Sequence, residues 1–362
     1  MGIEVFGGGT IRASRGELDR VRAQVEAAGS ILMAELNPLA FLAQPVGHVQ
    51  LALELPAILE RMRAIQHGCL IAAEQYFGTE SAISQRIHTI GEVHVPALAT
   101  AAVSAANHVG ALKEAPIEIA RTGFAGGASA PHSVVELGLR LQRTALDGDA
   151  AADEQAEFRV ERYGNRVIVY IPGTKKWSPV AGANPLDLTS NVHAMATASG
   201  SSATEIAASE RAVLASLRMA KVAAGDQVLL VGHSQGGIIA ANIAAKAHPF
   251  QIAGLVTFGS PIAEARVLPG TEVLAIEHTN DPVPMLDAGP NPQRENWVTV
   301  KERFDLEPGQ SPVAVHDLNG YLETAGRVDA SKATRLQSTL EFLRNFAGRA
   351  AGMTEWFAVR RT

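Results

Sequence analysis

Among the 362 residues, the groups best placed for chemistry are a serine, an aspartate and a histidine that follow one another along the chain. Ser234 lies in the stretch Val228 to Gly237, where an apolar run of strand length, Val228 to Val231, leads into Gly232-His233-Ser234-Gln235-Gly236. A serine at a tight strand-to-helix corner holds a strained backbone, and only very small residues two positions before and after it avoid clashing. Gly232 and Gly236 meet that demand. The residues that follow carry small and branched apolar side chains, and the pattern predicts a helix from Gln235 to Ala247. The free N–H groups at the start of such a helix can stabilise an oxyanion that develops on an attacked carbonyl.

A serine nucleophile needs a base, and the base needs an orienting acid. Glu272 to Glu277 reads as a strand, and the prolines of His278-Thr-Asn-Asp-Pro-Val-Pro284 end its pairing and leave Asp281 on a loop. Asp281 is the expected acid. Asn296 to Lys301 reads as the next strand, and the loop beyond it leads to His316, the expected base. His233 is too close to the nucleophile for that role and is expected to line the pocket floor or to bond locally. His278 ends a strand, where it can hold the acid loop, and His248 stands at a helix end that favours its charge. Asp287 and Asp305 are alternative acids that follow their strands less directly, and Asp317 reads as a loop-fixing residue.

The site also needs a second oxyanion donor. Arg166 to Ile171 is a strand pattern that ends in Pro172-Gly173-Thr174, where the glycine lets the backbone turn sharply toward the site. The N–H of Thr174 would join that of Gln235 around the oxygen, with the threonine hydroxyl as a third donor.

With these stretches in place, the chain resembles the α/β-hydrolase superfamily and, within it, the class 3 lipases. The likeness is carried by Tyr170-Ile-Pro-Gly-Thr174, Gly232-His-Ser-Gln-Gly-Gly237, Thr257-Phe-Gly-Ser-Pro261 and Asn280-Asp-Pro-Val-Pro284, which occur in that order. The order Ser, Asp, His is also the one that this architecture uses. The resemblance implies that Ser234, Asp281 and His316 form a triad and that Thr174 and Gln235 form the oxyanion hole. It implies a serine hydrolase of carboxylic esters, of lipase or esterase type, with an ester or lipid as substrate and no metal or organic cofactor. A phospholipase or thioesterase with the same triad, and a catalytically silent secretion or interaction protein, are the alternatives.

Composition bounds the remaining functions. With 37 acidic against 31 basic residues and a net charge of −6, the chain carries no broad basic field for nucleic acid. The single cysteine, Cys69, excludes an intramolecular disulfide. No apolar run is long enough to span a membrane, and Met1 to Thr10 lacks the basic start and apolar core of a signal peptide. The expected location is therefore cytoplasmic, or exported by a non-classical route.

The expected architecture is α/β, with an α/β-hydrolase domain at 158–362 whose mostly parallel sheet is flanked by helices. An all-α domain at 1–113 precedes it, and 114–157 is a connecting strand and helix with an acidic linker. Helices are expected from Ser14 to Asn37, Leu51 to Phe77 and Ser81 to Val109. Histidines 48, 67, 88, 94 and 108 show no metal-ligand spacing there. This region loosely resembles modules related to actinobacterial type VII secretion, through Tyr76-Phe-Gly-Thr-Glu80, which implies secretion machinery or another partner for the helical domain. In the connector, Pro116 to Arg121 reads as a strand and Gly123 to Pro131 as a loop. Lys175 to Ser202 is expected as a long structureless insertion. As a lid, it would offer Trp177, Leu186, Leu188, Val192 and Met195 to an acyl chain, and His233 would border the same pocket. As a fixed loop, it would brace Thr174.

Overall fold

Runs such as Val228–Val231 and Leu274–Ile276 have no polar face, so strands built from them must be covered on both sides. The computed structural model describes residues 4–6, 114–146, 154–176, 181–198, 206–281, 283–286, 290–306, 312–349 and 351–362. Within these residues, nine strands form one sheet: β1 (Glu4–Phe6), β2 (Ile117–Ala128), β3 (Ala156–Tyr163), β4 (Arg166–Ile171), β5 (Gln227–His233), β6 (Gln251–Phe258), β7 (Glu272–His278), β8 (Trp297–Glu302) and β9 (Gly352–Arg361). The spatial order is β1-β8-β7-β6-β5-β4-β3-β9-β2. Strands β4 to β8 pair in parallel, and the outer pairs are antiparallel.

Among the described residues, six helices accompany the sheet: α1 (Val134–Leu146), α2 (Leu188–Ala198), α3 (Ala208–Met219), α4 (Gln235–Ala244), α5 (Leu318–Ala330) and α6 (Thr334–Phe346). The period-two alternation of the strands divides the apolar side chains between two cores. Val228 and Leu230 of β5 join Val167, Val169 and Ile171 of β4 under α3 and α4. Leu229 and Val231 join Ile168 and Tyr170 under α1, α5 and α6. Each fully buried Val, Leu or Ile contributes about 1.5–3 kcal/mol relative to exposure, and the parallel strands place such residues on both faces. No helix among the described residues is long and apolar enough to cross a membrane.

The expected elements differ from the observed ones in five places. Glu4–Phe6 pairs with β8 at the sheet edge, so these three residues belong to the sheet and not to an all-helical segment. The helices expected between Ser14 and Val109, and Tyr76 to Glu80, lie outside the described residues. Strand β2 continues through Gly123–Ala128, which reads as a loop. It is an edge strand, and register shifts between Arg121 and Gly123 and between Gly126 and Ala128 accommodate the glycines. The expected boundary at 157/158 falls inside β3, and the insertion after Thr174 contains helix α2. Helix α4 ends at Ala244, short of the expected Ala247.

Because β4, β5 and β7 are parallel, their carboxyl ends emerge on one edge of the sheet. Thr174, Ser234 and Asp281 follow these ends directly. The carboxyl edge is also where open α/β sheets bind their ligands.

Candidate active site

Strand β5 delivers Ser234 at φ 54° and ψ −124°, in a region of backbone space that costs an L-residue about 1–3 kcal/mol. Two backbone bonds hold it there. The Ser234 N–H donates 3.0 Å to the Phe258 carbonyl, and the Gly237 N–H donates 3.0 Å to the Ser234 carbonyl. The close approach of α4 to the strand ends explains the flanking glycines. A Cβ on Gly232 would stand 2.5 Å from the Gly236 carbonyl, and one on Gly236 would overlap the Ile171 and Pro172 carbonyls.

The three expected side chains form one hydrogen-bonded chain. His316 Nε2 lies 2.8 Å from Ser234 Oγ, and His316 Nδ1 lies 2.7 Å from Asp281 Oδ2. A carboxylate only accepts, so Nδ1 carries the imidazole proton and Nε2 accepts from the serine hydroxyl. Ser234 and Asp281 are buried. Asp281 Oδ1 accepts the Val283 N–H at 2.9 Å, which fixes the rotation of the carboxylate.

Behind this chain lies a second layer, of which the sequence expectations named His278 but not Tyr321. Tyr321, in the first turn of α5, donates its hydroxyl to Asp281 Oδ2 at 2.6 Å and accepts the His278 N–H at 3.1 Å. Burial and the neighbouring Asp281 raise its phenol well above the usual range, so it remains a donor. His278 stacks on the Tyr321 ring at 3.8 Å. One of its nitrogens lies 2.8 Å from the carbonyl of Val315, the residue before the base, and the other lies 2.9 Å from the Thr324 hydroxyl. His278 therefore holds the loop that precedes His316 as well as the end of β7. Tyr321 is five residues beyond His316, but no local motif marks it.

His233 lies beside His316. Its Nε2 donates to the His316 carbonyl at 2.9 Å, and the two rings stack at 4.9 Å. Burial, followed by the nearness of His316, pushes its pKa down to about 3. It is thus a neutral support for the His316 backbone.

On the other side of Ser234, a Cβ placed on Gly173 would stand 3.1 Å from the Ser234 Cβ, so the turn after β4 abuts the serine. The Thr174 hydroxyl is buried there without a hydrogen-bond partner, a state that costs about 1–3 kcal/mol unless a ligand fills it. Gln235 begins α4, and its N–H has no acceptor within the helix. The Gln235 side chain turns away and donates to the Asp187 carbonyl at 3.1 Å.

The insertion provides a brace at this point. The N–H groups of Lys175 and Lys176 donate to the Leu186 carbonyl at 2.7 and 3.2 Å, and the Leu188 N–H returns to the Lys176 carbonyl at 3.0 Å. Leu186, expected to contact an acyl chain, is instead fully buried in the core under α3 and α4, because the brace turns it inward. Leu188 is half-buried at the start of α2. Asn242 of α4 donates to the Ala194 carbonyl of α2 at 2.8 Å and ties the two helices together. Trp177 lies outside the described residues.

A mostly parallel sheet with helices on both faces and a serine elbow at its carboxyl edge is the α/β-hydrolase fold. Residues 196–292 match the family described as PGAP1-like alpha/beta domain. The matched stretch includes Ser234 and Asp281 and ends before His316. No curated protein and no solved structure matches the chain.

Proposed function

We propose that the protein is a serine hydrolase of carboxylic esters, of lipase or esterase type, which works through an acyl-enzyme on Ser234. The observation that carries this reading is the unbroken chain from Ser234 Oγ through His316 to Asp281 on a strained elbow. His316 Nε2 takes the hydroxyl proton as Ser234 Oγ attacks the ester carbonyl. Asp281 keeps the proton on Nδ1 and stabilises the imidazolium that forms. The N–H groups of Thr174 and Gln235, with the unpartnered Thr174 hydroxyl, face the charge that develops on the carbonyl oxygen. His316 then protonates the departing alcohol. A water molecule, deprotonated by the same imidazole, releases the acid and restores Ser234.

Hydrolysis of p-nitrophenyl esters of increasing chain length tests this reading, with wild type beside Ser234→Ala. The expected outcome is turnover that falls at least about a thousandfold in the variant, together with fluorophosphonate labelling of wild type alone. Equal rates in two folded proteins would refute the role of Ser234.

A further inference from the structure

A buried ionic cluster next to the site is centred on Arg361 of β9. Its guanidinium pairs in a fork with Asp187, Nη1 to Oδ2 at 2.5 Å and Nη2 to Oδ1 at 3.0 Å. Nε donates to Glu114 Oε2 at 2.8 Å, Nη2 to the Ser190 hydroxyl at 2.7 Å, and Nη1 to the carbonyls of Gly182 and Asn184 at 3.0 and 3.3 Å. Every nitrogen of the fork is therefore engaged. The side chains of Arg361, Asp187 and Glu114 are only 4%, 0% and 1% exposed. Burial alone would raise the Glu114 carboxyl, but the Arg361 charge and the donors Ser190 and Ala208 outweigh it and hold the carboxyl below its ordinary range.

Buried ion pairs of this kind contribute little net stability over a well-packed apolar substitute, although they fix geometry tightly. What this one fixes is the segment from Gly182 to Ser190. Asp187 Oδ1 accepts the Ser190 N–H at 2.9 Å, and Oδ2 accepts the Gly182 N–H at 3.2 Å. The same segment sends its backbone carbonyls toward the site: Leu186 to the N–H groups that follow Thr174, and Asp187 to the side chain of Gln235. The backbone that follows Thr174 and the side chain of Gln235 thus rest on a peptide segment that Arg361 helps to hold.

We propose that Arg361 is a positioning residue for the oxyanion hole, acting through Asp187 on the backbone beside Thr174 and on Gln235. The inference rests on the serine-hydrolase reading. It does not involve the base, because neither Arg361 nor Asp187 bonds to His316 or Asp281. A misplaced oxyanion donor weakens the transition state and leaves ground-state binding intact, so the loss belongs in kcat and not in KM.

The test uses Arg361→Lys, which keeps the charge and loses the fork, and Asp187→Asn, which keeps the shape and one acceptor. With p-nitrophenyl butyrate, Arg361→Lys is expected to lower kcat about ten- to a hundredfold with KM within about twofold. An alkyl boronate, which forms a tetrahedral adduct on the serine, should lose affinity by a similar factor. The acid limb of kcat/KM, which reports the base, should stay in place. Asp187→Asn should show the same split at smaller size. A folded Arg361→Lys with kcat within about twofold of wild type, or a loss accompanied by a moved acid limb, would overturn the proposal. Unfolding of both variants would assign the network to stability alone and overturn it as well. Wild type that neither turns over esters nor takes a fluorophosphonate would remove the hydrolase reading itself. Wild type that does both, beside variants that keep their kcat, would remove only the role of Arg361.

Discussion

Asp281 Oδ2 accepts two hydrogen bonds, from His316 Nδ1 and from the Tyr321 hydroxyl, so the negative charge that faces the base is shared. In Tyr321→Phe the whole acceptor turns to the imidazole, and the charged form of His316 gains stabilisation. The acid limb of kcat/KM should then move to higher pH. A hydrogen bond to a charged group is lost, so stability should fall by about 1.5–3 kcal/mol. A pH profile measured beside a urea melt reads both, and an unmoved limb would show that Tyr321 does not tune the base. At this scale the sequence was legible where chemistry imposes a local spacing. Ser234 is marked by its two glycines, Asp281 by the prolines after a strand and His316 by its place after the last parallel strand. Tyr321 carries no such mark, because its role arises from the packing of α5 against β7. Arg361 is equally hidden, since its partners Asp187 and Glu114 stand 174 and 247 residues away in the chain.

The elbow is a contact between elements before it is a motif. Helix α4 begins so close to the end of β4 that Gly236 lies against the Ile171 and Pro172 carbonyls. Backbone cannot yield as the end of a flexible side chain can, so Gly236→Ala must push α4 away from the sheet. The expected cost is about 1–3 kcal/mol in a thermal or urea melt. The rate of fluorophosphonate labelling should fall with it, because Ser234 and the Gln235 N–H move together. Labelling at the wild-type rate would mean that the elbow tolerates a wider gap. The apolar runs of β4 to β7 were readable because strands buried on both faces leave no polar alternation to confuse them. Two other elements were not. Strand β2 is a half-exposed edge whose pairing with β9 overrides the loop-like composition of Gly123–Ala128. Helix α2 hides in a stretch rich in Ala, Ser and Asn, where helix formation follows from packing on α4 and from the Asp187 carboxylate, which accepts the Ser190 N–H in its first turn.

The molecule as a whole should carry a pH signature from its buried imidazoles. His233 is pushed down to about 3 from 6.5, first by burial and then by His316, and burial also lowers His278. Between about pH 3 and 6.5 the unfolded chain holds a proton on His233 that the folded chain lacks. Unfolding therefore becomes easier as pH falls through this window, and the full stabilisation is present only above 6.5. Each pH unit is worth up to about 1.4 kcal/mol for such a group. Glu210 and Glu277 act in the opposite sense. Burial raises both carboxyls, so their contribution is present below the ordinary value of 4.5 and is lost as pH rises through the folded value. The wild-type slope mixes the two signs and does not by itself isolate the histidine. The difference between wild type and His233→Asn does, because an asparagine amide preserves a donor for the His316 carbonyl and does not titrate. Melting temperatures from pH 7.5 to 4.5 should converge as pH falls, the variant losing less than wild type. Parallel curves would show that His233 is protonated equally in both states and that its burial does not govern its charge.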